Sequence, residues 1–357
     1  MLSQKTSCLM TLVARYDKLS CPGQTTLFAL WRSFAILVSL FLIGCSNKPE
    51  IIEITGSKMG TSYHITVVAD QLPPDDLAQQ IDQLLSVVDN SMSTYKQNSE
   101  ISQFNRLPAG GSLEISSEFA DVIRISQKVW TLSEGAFDPT IGPLVDLWGF
   151  GATHSEHSVP SAQSIQQALD NVGFESVVLE GLTLTKQKAL ALDLSAVAKG
   201  YGVDLVADHL EMLALPDYLV EIGGEIRVSG FNADEVAWKI ALEQPQLFAA
   251  VDRVIDLTDI AVATSGDYRN YFEKEGQRYS HTIDPRSGQP IKHSLASVTV
   301  ITESCAEADA WATAFSVMGA SQSKDIANQL GIAAYMLVRQ DDDFVAITSD
   351  NFTPFIN

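Results

Sequence analysis

This 357-residue chain has four cysteines, and three of them, Cys8, Cys21 and Cys45, fall within its first 45 residues. Only Cys305 remains in the body that follows. No internal disulfide can brace that body, so its stability must come from a buried core. Cys/His clusters with zinc spacing are also lacking, which excludes the commonest structural metal. Membrane-length hydrophobic runs are missing too: the apolar stretch at residues 34–43 matches a signal-peptide segment and is too short to span a bilayer. Internal repeats and long low-complexity tracts are absent. Positive charge is scarce. Four of the 23 Lys/Arg and one of the 44 Asp/Glu precede residue 45, which leaves the remainder a net charge of −24. Such a surface repels nucleic acid, so nucleic acid is excluded as a partner. A phosphate-bearing ligand would need a local positive group or a metal.

What is present begins with Lys5, Arg15, Lys18 and Arg32, followed by the apolar stretch and then Leu42-Ile43-Gly44-Cys45-Ser46. This order reads as a lipoprotein signal, with cleavage before Cys45 and a lipid on its thiol. The expectation is a signal peptide over 1–44, a lipidated N-terminus and tether over 45–55, and one domain over 56–357. The protein is then anchored to a membrane rather than spanning it.

Hydrophobic spacing predicts a strand at 63–68 and a helix opening at Pro73-Pro74-Asp75, with Leu77, Ile81, Leu84, Leu85 and Val88 on one face. A second helix carries Phe119, Val122, Ile123, Val129 and Trp130. Strands are expected near 177–179, 182–184 and 190–194, and a helix over 201–213. The second half is strand-rich, at 218–222, 225–228, 238–242, 253–257, 261–264 and 297–301. A final helix over 323–330 precedes a hairpin at 333–338 and 344–347. Helices and strands mix without βαβ alternation, which indicates an α+β fold.

Several segments carry chemistry. Ser304 and Glu307 form a capping-box pattern, so a helix should start at Ser304 and project Asp309 and Thr313 from one face. A carboxylate and a hydroxyl are the hard oxygen donors that magnesium accepts beside phosphates. Dipole compensation by Asp309 and simple packing of Thr313 would give the same pattern. Residues 192–202, Leu-Asp-Leu-Ser-Ala-Val-Ala-Lys-Gly-Tyr-Gly, read as an apolar strand, a loop of small residues and a new helix. That arrangement suits phosphate approach, with Lys199 as the positive group, or is an ordinary connection. Asp284-Pro285-Arg286-Ser287-Gly288 is a tight-turn pattern that would hold His281 and Asp284 at a sheet rim, where His281 is either a base or structural. Met59, Tyr95 and Phe137 are suited to enclosing a flat ring or to plain packing. Gly223-Gly224-Glu225 reads as a glycine-bent hairpin.

Taken in order, Met59-Gly-Thr, Ser93-Thr-Tyr95, Gly135-Ala-Phe-Asp-Pro139, Asp193-Leu-Ser-Ala-Val-Ala-Lys-Gly200, Gly223-Gly-Glu225, Thr264-Ser-Gly-Asp-Tyr-Arg269, His281-Thr-Ile-Asp-Pro285 and Glu307-Ala-Asp-Ala-Trp-Ala-Thr313 resemble the ApbE-type FAD:protein FMN transferases. The likeness covers nearly all of the chain after the leader. Ser287, where many members have threonine, is a slight departure. The resemblance implies a single α+β domain with a central, largely antiparallel sheet flanked by helices. It further implies FAD binding by Met59, Tyr95, Ala136, Phe137, Asp138, Asp193, Lys199 and Ile283. Magnesium would be held by Asp309, Thr313 and the Ala196 carbonyl. His281 would lie near the reaction centre, and its role as base follows from imidazole chemistry. Implied partners are acceptor flavoprotein subunits of membrane redox complexes, with the domain lipid-anchored in the periplasm of a bacterial envelope. Two other readings remain: a magnesium-dependent FAD pyrophosphatase, which uses the same residues, and a non-catalytic flavin-binding lipoprotein, which needs the ring-stacking residues but not Asp309 and Thr313, whose joint presence argues against it.

Overall fold

Strands buried on both faces at the centre and on alternate positions elsewhere build an antiparallel sheet of eight strands, whose order in space follows their order in the chain. The computed structural model describes residues 49–151, 157–243, 251–267, 271–341 and 343–356. The leader at 1–44, Cys45 and the motif residues Tyr268 and Arg269 lie outside these. The sheet strands are β1 Glu50–Lys58, β2 Thr61–Ala69, β3 Asp217–Ile222, β4 Glu225–Ser229, β5 Ile260–Gly266, β6 Leu295–Thr302, β7 Ala333–Gln340 and β8 Asp343–Thr348. All seven neighbouring pairs are antiparallel. Strand β1 was not expected: residues 50–55, assigned to the tether, are paired with β2 along their whole length. With its charged and polar residues outward, β1 shows too little apolar alternation to announce itself.

The two faces of the sheet are covered differently. On one lie the long helices α1 Leu77–Met92, α2 Ser117–Leu132, α3 Ala198–Met212 and α4 Cys305–Met318. Leu77, Ile81 and Leu85 of α1 and Val203, Val206 and Leu210 of α3 are buried against Ile65, Val67 and Val220. Helix α4 is apolar almost all round and sits in the largest core with Val298, Val300 and Met336. On the other face, a hairpin of Trp238–Glu243 and Val251–Leu257 lays Trp238, Ile240, Ile255 and Leu257 over Val228, Val262, Ile301 and Tyr335. One largely apolar helix and a sheet covered on both faces supply the core that the missing disulfides make necessary.

Helix boundaries follow local signals. Ser116 and Ser304 cap α2 and α4, each side chain accepting from the backbone N–H three residues on. The capping box at Ser304 is half formed, because Glu307 reaches outward to Lys128 at 2.5 Å instead of back to the cap. Residues 190–194, expected as a strand, run as coil with a single bridge from Ala191 to Ile141. Short helices at Glu100–Asn105, Gly142–Leu147 and Ala162–Leu169 went unseen in the sequence, each being too brief to show a period. Among the described residues no helix is long and apolar enough to cross a membrane.

Candidate active site

One cavity of about 690 Å³ opens where the first turns of α3 and α4 meet the β3–β4 turn and the end of β5. Loops from the first half of the chain close it. Tyr95, Ala136, Phe137, Asp138, Asp193, Ala196, Lys199, His281, Ile283, Asp309 and Thr313 all line it. A cavity of this size suits a large organic ligand. Met59 is the exception: it does not line the cavity. It occupies the two-residue β1–β2 turn with φ 56°, followed by Gly60 at 76°, the pair of positive values that a tight hairpin between twisted strands requires. Its sulfur lies over the start of α3, so that a Cβ placed on Gly202 would stand 3.3 Å from it.

The polar heart of the cavity is a trio from three elements. Lys199 Nζ, in the first turn of α3, lies 2.5 Å from Glu225 Oε1 on β4 and 3.8 Å from Asp309 Oδ2 on α4. Glu225 and Asp309 are buried. Burial lifts the Glu225 carboxyl to about 7 against the pull of Lys199. Burial likewise raises Asp309, opposed by Lys199 and by the Gly200 N–H that donates to its Oδ2 at 3.2 Å. For Lys199, burial favours the neutral amine, but Asp309 and Glu225 outweigh it and the net shift is upward. Lys199 therefore stays charged, and two carboxylates share one cation.

A buried carboxyl oxygen left without a hydrogen-bond partner, Glu225 Oε2, is the ground for testing a metal. Thr313 stands one turn beyond Asp309 on the same helix face, and Ala196 borders the same cavity. Among the described residues, no three acidic, His or Cys side chains gather as a complete metal cage. Asp309 and Thr313 bring a carboxylate and a hydroxyl to the same cavity, hard oxygen donors of the kind that suit a small divalent cation taking its remaining ligands from a phosphate, a backbone carbonyl or water.

The surrounding loops are held by their own side chains. Ser133 Oγ accepts from Phe137 N–H at 3.1 Å, which fixes the turn that sends Phe137 to the cavity. Asp138 Oδ1 accepts from the Thr140 N–H and hydroxyl, and Oδ2 from Phe174 N–H. Burial nevertheless raises the Asp138 carboxyl. Asp193 Oδ1 accepts from Ser195 N–H at 2.9 Å, which tightens the loop that presents Ala196. His281 follows the strand Gln277–Ser280, with the Phe150 ring edge-on at 6.3 Å. The Asp-Pro-x-x-Gly turn exists as expected, with Gly288 N–H donating to the Asp284 carbonyl at 2.8 Å. Asp284 itself turns to Arg286 and is not among the cavity-lining residues.

Sequence reasoning missed two contributors. Glu225 was read only as part of a bent hairpin. Its signal was an acid on the first residue of a strand with a second charged residue, Arg227, two positions on along the same face. Phe150 lines the cavity from a loop that no periodicity marks.

The ApbE family model matches residues 59–336. The chain is 42% identical over 327 residues to the FAD:protein FMN transferase of Vibrio cholerae, covering 90% of this chain and 98% of that protein. Identity to the protein of that name from Haemophilus influenzae is 38%, over 89% of this chain and 95% of the other. The solved flavin transferase ApbE from Vibrio cholerae superposes with a TM-score of 0.81 at 40% identity, over 86% of this chain and all of that one. The Thermotoga maritima ApbE protein gives 0.79 at 28% identity, over 86% of this chain and all of that one.

Proposed function

This chain belongs to the ApbE family and is a transferase enzyme, and on that premise we propose that it cleaves FAD at its pyrophosphate and attaches the FMN half to a partner protein. The acceptor atom is a threonine or serine hydroxyl oxygen. That oxygen attacks the phosphorus of the FMN half, a new phosphoester P–O bond forms, and the bond to the AMP phosphate breaks. AMP leaves with the electron pair, and the hydroxyl proton passes to a base. Convergence of residues from Tyr95 to Thr313 on one cavity, with Lys199 between two buried carboxylates, is the observation that carries this reading.

Each residue has a physical task. Lys199 offers the local positive charge that a pyrophosphate needs on an otherwise acidic protein. Asp309, Thr313 and the Ala196 carbonyl would hold magnesium, which when bound neutralises phosphate charge and stabilises the leaving group. Phe137 and Tyr95 present rings to a planar ligand, with Ile283 and Ala136 as apolar wall. Asp138 and Asp193 brace the loops that carry these groups. His281, at the cavity wall, is the base that takes the hydroxyl proton.

Cys45 carries the lipid in this proposal, with the domain in the periplasm and flavoprotein subunits of membrane redox complexes as acceptors. The leader sequence and the acidic surface support it. A covalent flavin also suits a compartment where a lost cofactor is not easily replaced.

The test incubates the protein with FAD, magnesium and a candidate acceptor subunit, and follows acceptor mass and AMP together. Acceptor gaining one FMN phosphoester, with AMP released and both lost on chelation, is the expected result. AMP release without modification, across several acceptors, would replace transfer by hydrolysis. Tight FAD binding with neither product would reduce the protein to a flavin carrier.

A further inference from the structure

Helices α3 and α4 meet through a reciprocal pair of caps. The Gly200 N–H, in the first turn of α3, donates to Asp309 Oδ2 on α4. The Cys305 and Ala306 N–H groups, in the first turn of α4, donate to Asp204 on α3 at 2.9 and 3.0 Å. Ser304 Oγ, itself the cap of α4, adds a third bond to Asp204 at 2.8 Å. Gly200 and Asp204 are four apart, as are Cys305 and Asp309, so each helix uses one face and two successive turns. Each carboxylate satisfies amides that its neighbour's helix cannot satisfy for itself.

The contact is close because Gly200 has no side chain. A Cβ there would lie 2.3 Å from the Cys305 carbonyl oxygen. Two helix starts, both bearing positive dipole ends, are thus driven together, and the two carboxylates answer that field. Asp204 also takes Arg227 Nη1 at 3.2 Å. Arg227 lies on β4, two residues after Glu225. The three elements that carry Lys199, Asp309 and Glu225 are the same three that Asp204 ties together.

We propose that Asp204 is a positioning residue, which fixes the approach of α3 and α4 and thereby the placing of Asp309 opposite Lys199 and Glu225. It does not line the cavity. Its effect reaches the cavity only through helix placement. The proposal rests on the cation reading of Asp309 for its functional consequence, while its structural part stands on the cap geometry alone.

The experiment compares the full-length chain with Asp204→Asn and with the milder Ser304→Ala. Amide exchange is followed at Gly200 and at Cys305 without flavin or metal, and magnesium is titrated in FAD turnover with acceptor. In Asp204→Asn, exchange should quicken at Cys305 and also at Gly200, whose amide never touches Asp204. Half-saturating magnesium should rise about tenfold, in the range found when groups that orient metal ligands are removed, with a smaller change in the limiting rate. Ser304→Ala should move both readouts in the same direction by less, and it serves if Asp204→Asn does not fold. Unchanged exchange at Gly200 would overturn the proposal, as would lowered overall stability with an unaltered magnesium requirement. A wild type indifferent to magnesium would instead remove the cation reading. The Gly200 amide would then decide the role of Asp204 by itself.

Discussion

The Asn105 carboxamide holds both backbone polar groups of Leu192, from 87 residues away: Nδ2 donates to the carbonyl at 2.9 Å and Oδ1 accepts from the N–H at 2.7 Å. One side chain thereby replaces the neighbouring strand that a buried extended segment would otherwise need. Asn105 is in turn fixed by Lys186, whose buried ammonium donates to the Asn105 and Leu190 carbonyls at 3.0 Å each. Asn105→Ala would leave a buried donor and acceptor unmet, at a cost of about 2–4 kcal/mol. Denaturant unfolding should show that loss, and the KM for FAD should rise, because Leu192 adjoins the Asp193–Ala196 loop. A wild-type midpoint would dismiss the bracing role.

The same pair explains what the sequence concealed. Leu190, Leu192 and Leu194 are buried and alternate with less buried neighbours, which is the signature of a strand. Their backbone partners are Asn105 and the Pro139 carbonyl, which accepts from Asp193 N–H at 2.7 Å. Periodicity reports burial of side chains, not the source of hydrogen bonds. By contrast, the helix carrying Asp309 and Thr313 was legible because its serine cap and four-residue spacing are local. The cavity was legible only as separate motifs. Met59 shares their wording, yet turn geometry keeps it away from the cavity wall, and Glu225 was hidden because its meaning depends on Lys199, 26 residues earlier. Asp204 left no local trace, since three of its acceptor bonds reach across about a hundred residues and the fourth, from Arg227, across 23.

Two glycines in one helix should respond oppositely to alanine. At Gly202 a new methyl would meet only the Met59 sulfur and the ends of Ile222 and Leu85 side chains, at 3.3–3.5 Å. Gly202→Ala should fall within about 1 kcal/mol of wild type, because helix propensity offsets the crowding. At Gly200 the methyl meets the Cys305 carbonyl, and the helices must part. Gly200→Ala should cost about 3 kcal/mol or more, as overpacking against backbone does. Equal midpoints for the two variants in urea would contradict the close approach of α3 and α4.

Asp309→Ala should abolish magnesium-dependent turnover while the protein stays folded. Normal activity would remove the proposed metal site.

Replacing His281 by alanine should slow FMN transfer by about 10²–10⁴-fold, as loss of a general base does, and leave FAD binding within a few-fold of wild type. Fluorescence titration of FAD beside acceptor mass measurement separates the two effects. Transfer at the wild-type rate would assign the base elsewhere.

Cys305 is fully buried, and burial pushes its thiol well above the usual range. In folded protein it should resist thiol reagents at neutral pH for hours and react at once in denaturant. Prompt labelling of the native state, located to Cys305 by peptide mapping, would show that α4 opens readily at its first turn.

Because the sheet is laid down in chain order, six of its seven seams join strands separated by about thirty residues or fewer, whereas β2 must wait for β3 across everything between Ala69 and Asp217. Closing a long loop carries the larger entropic penalty, so this seam is the slow one. Tyr95, Phe137, Asp193 and Lys199 lie inside the excursion, and Glu225, His281, Asp309 and Thr313 emerge after it. During synthesis the first hairpin is therefore left without its neighbour while everything between Ala69 and Asp217 is being made. On the roles proposed above, a truncated product ending before Asp309 lacks both side chains assigned to the cation, and competence for chemistry arrives late in synthesis.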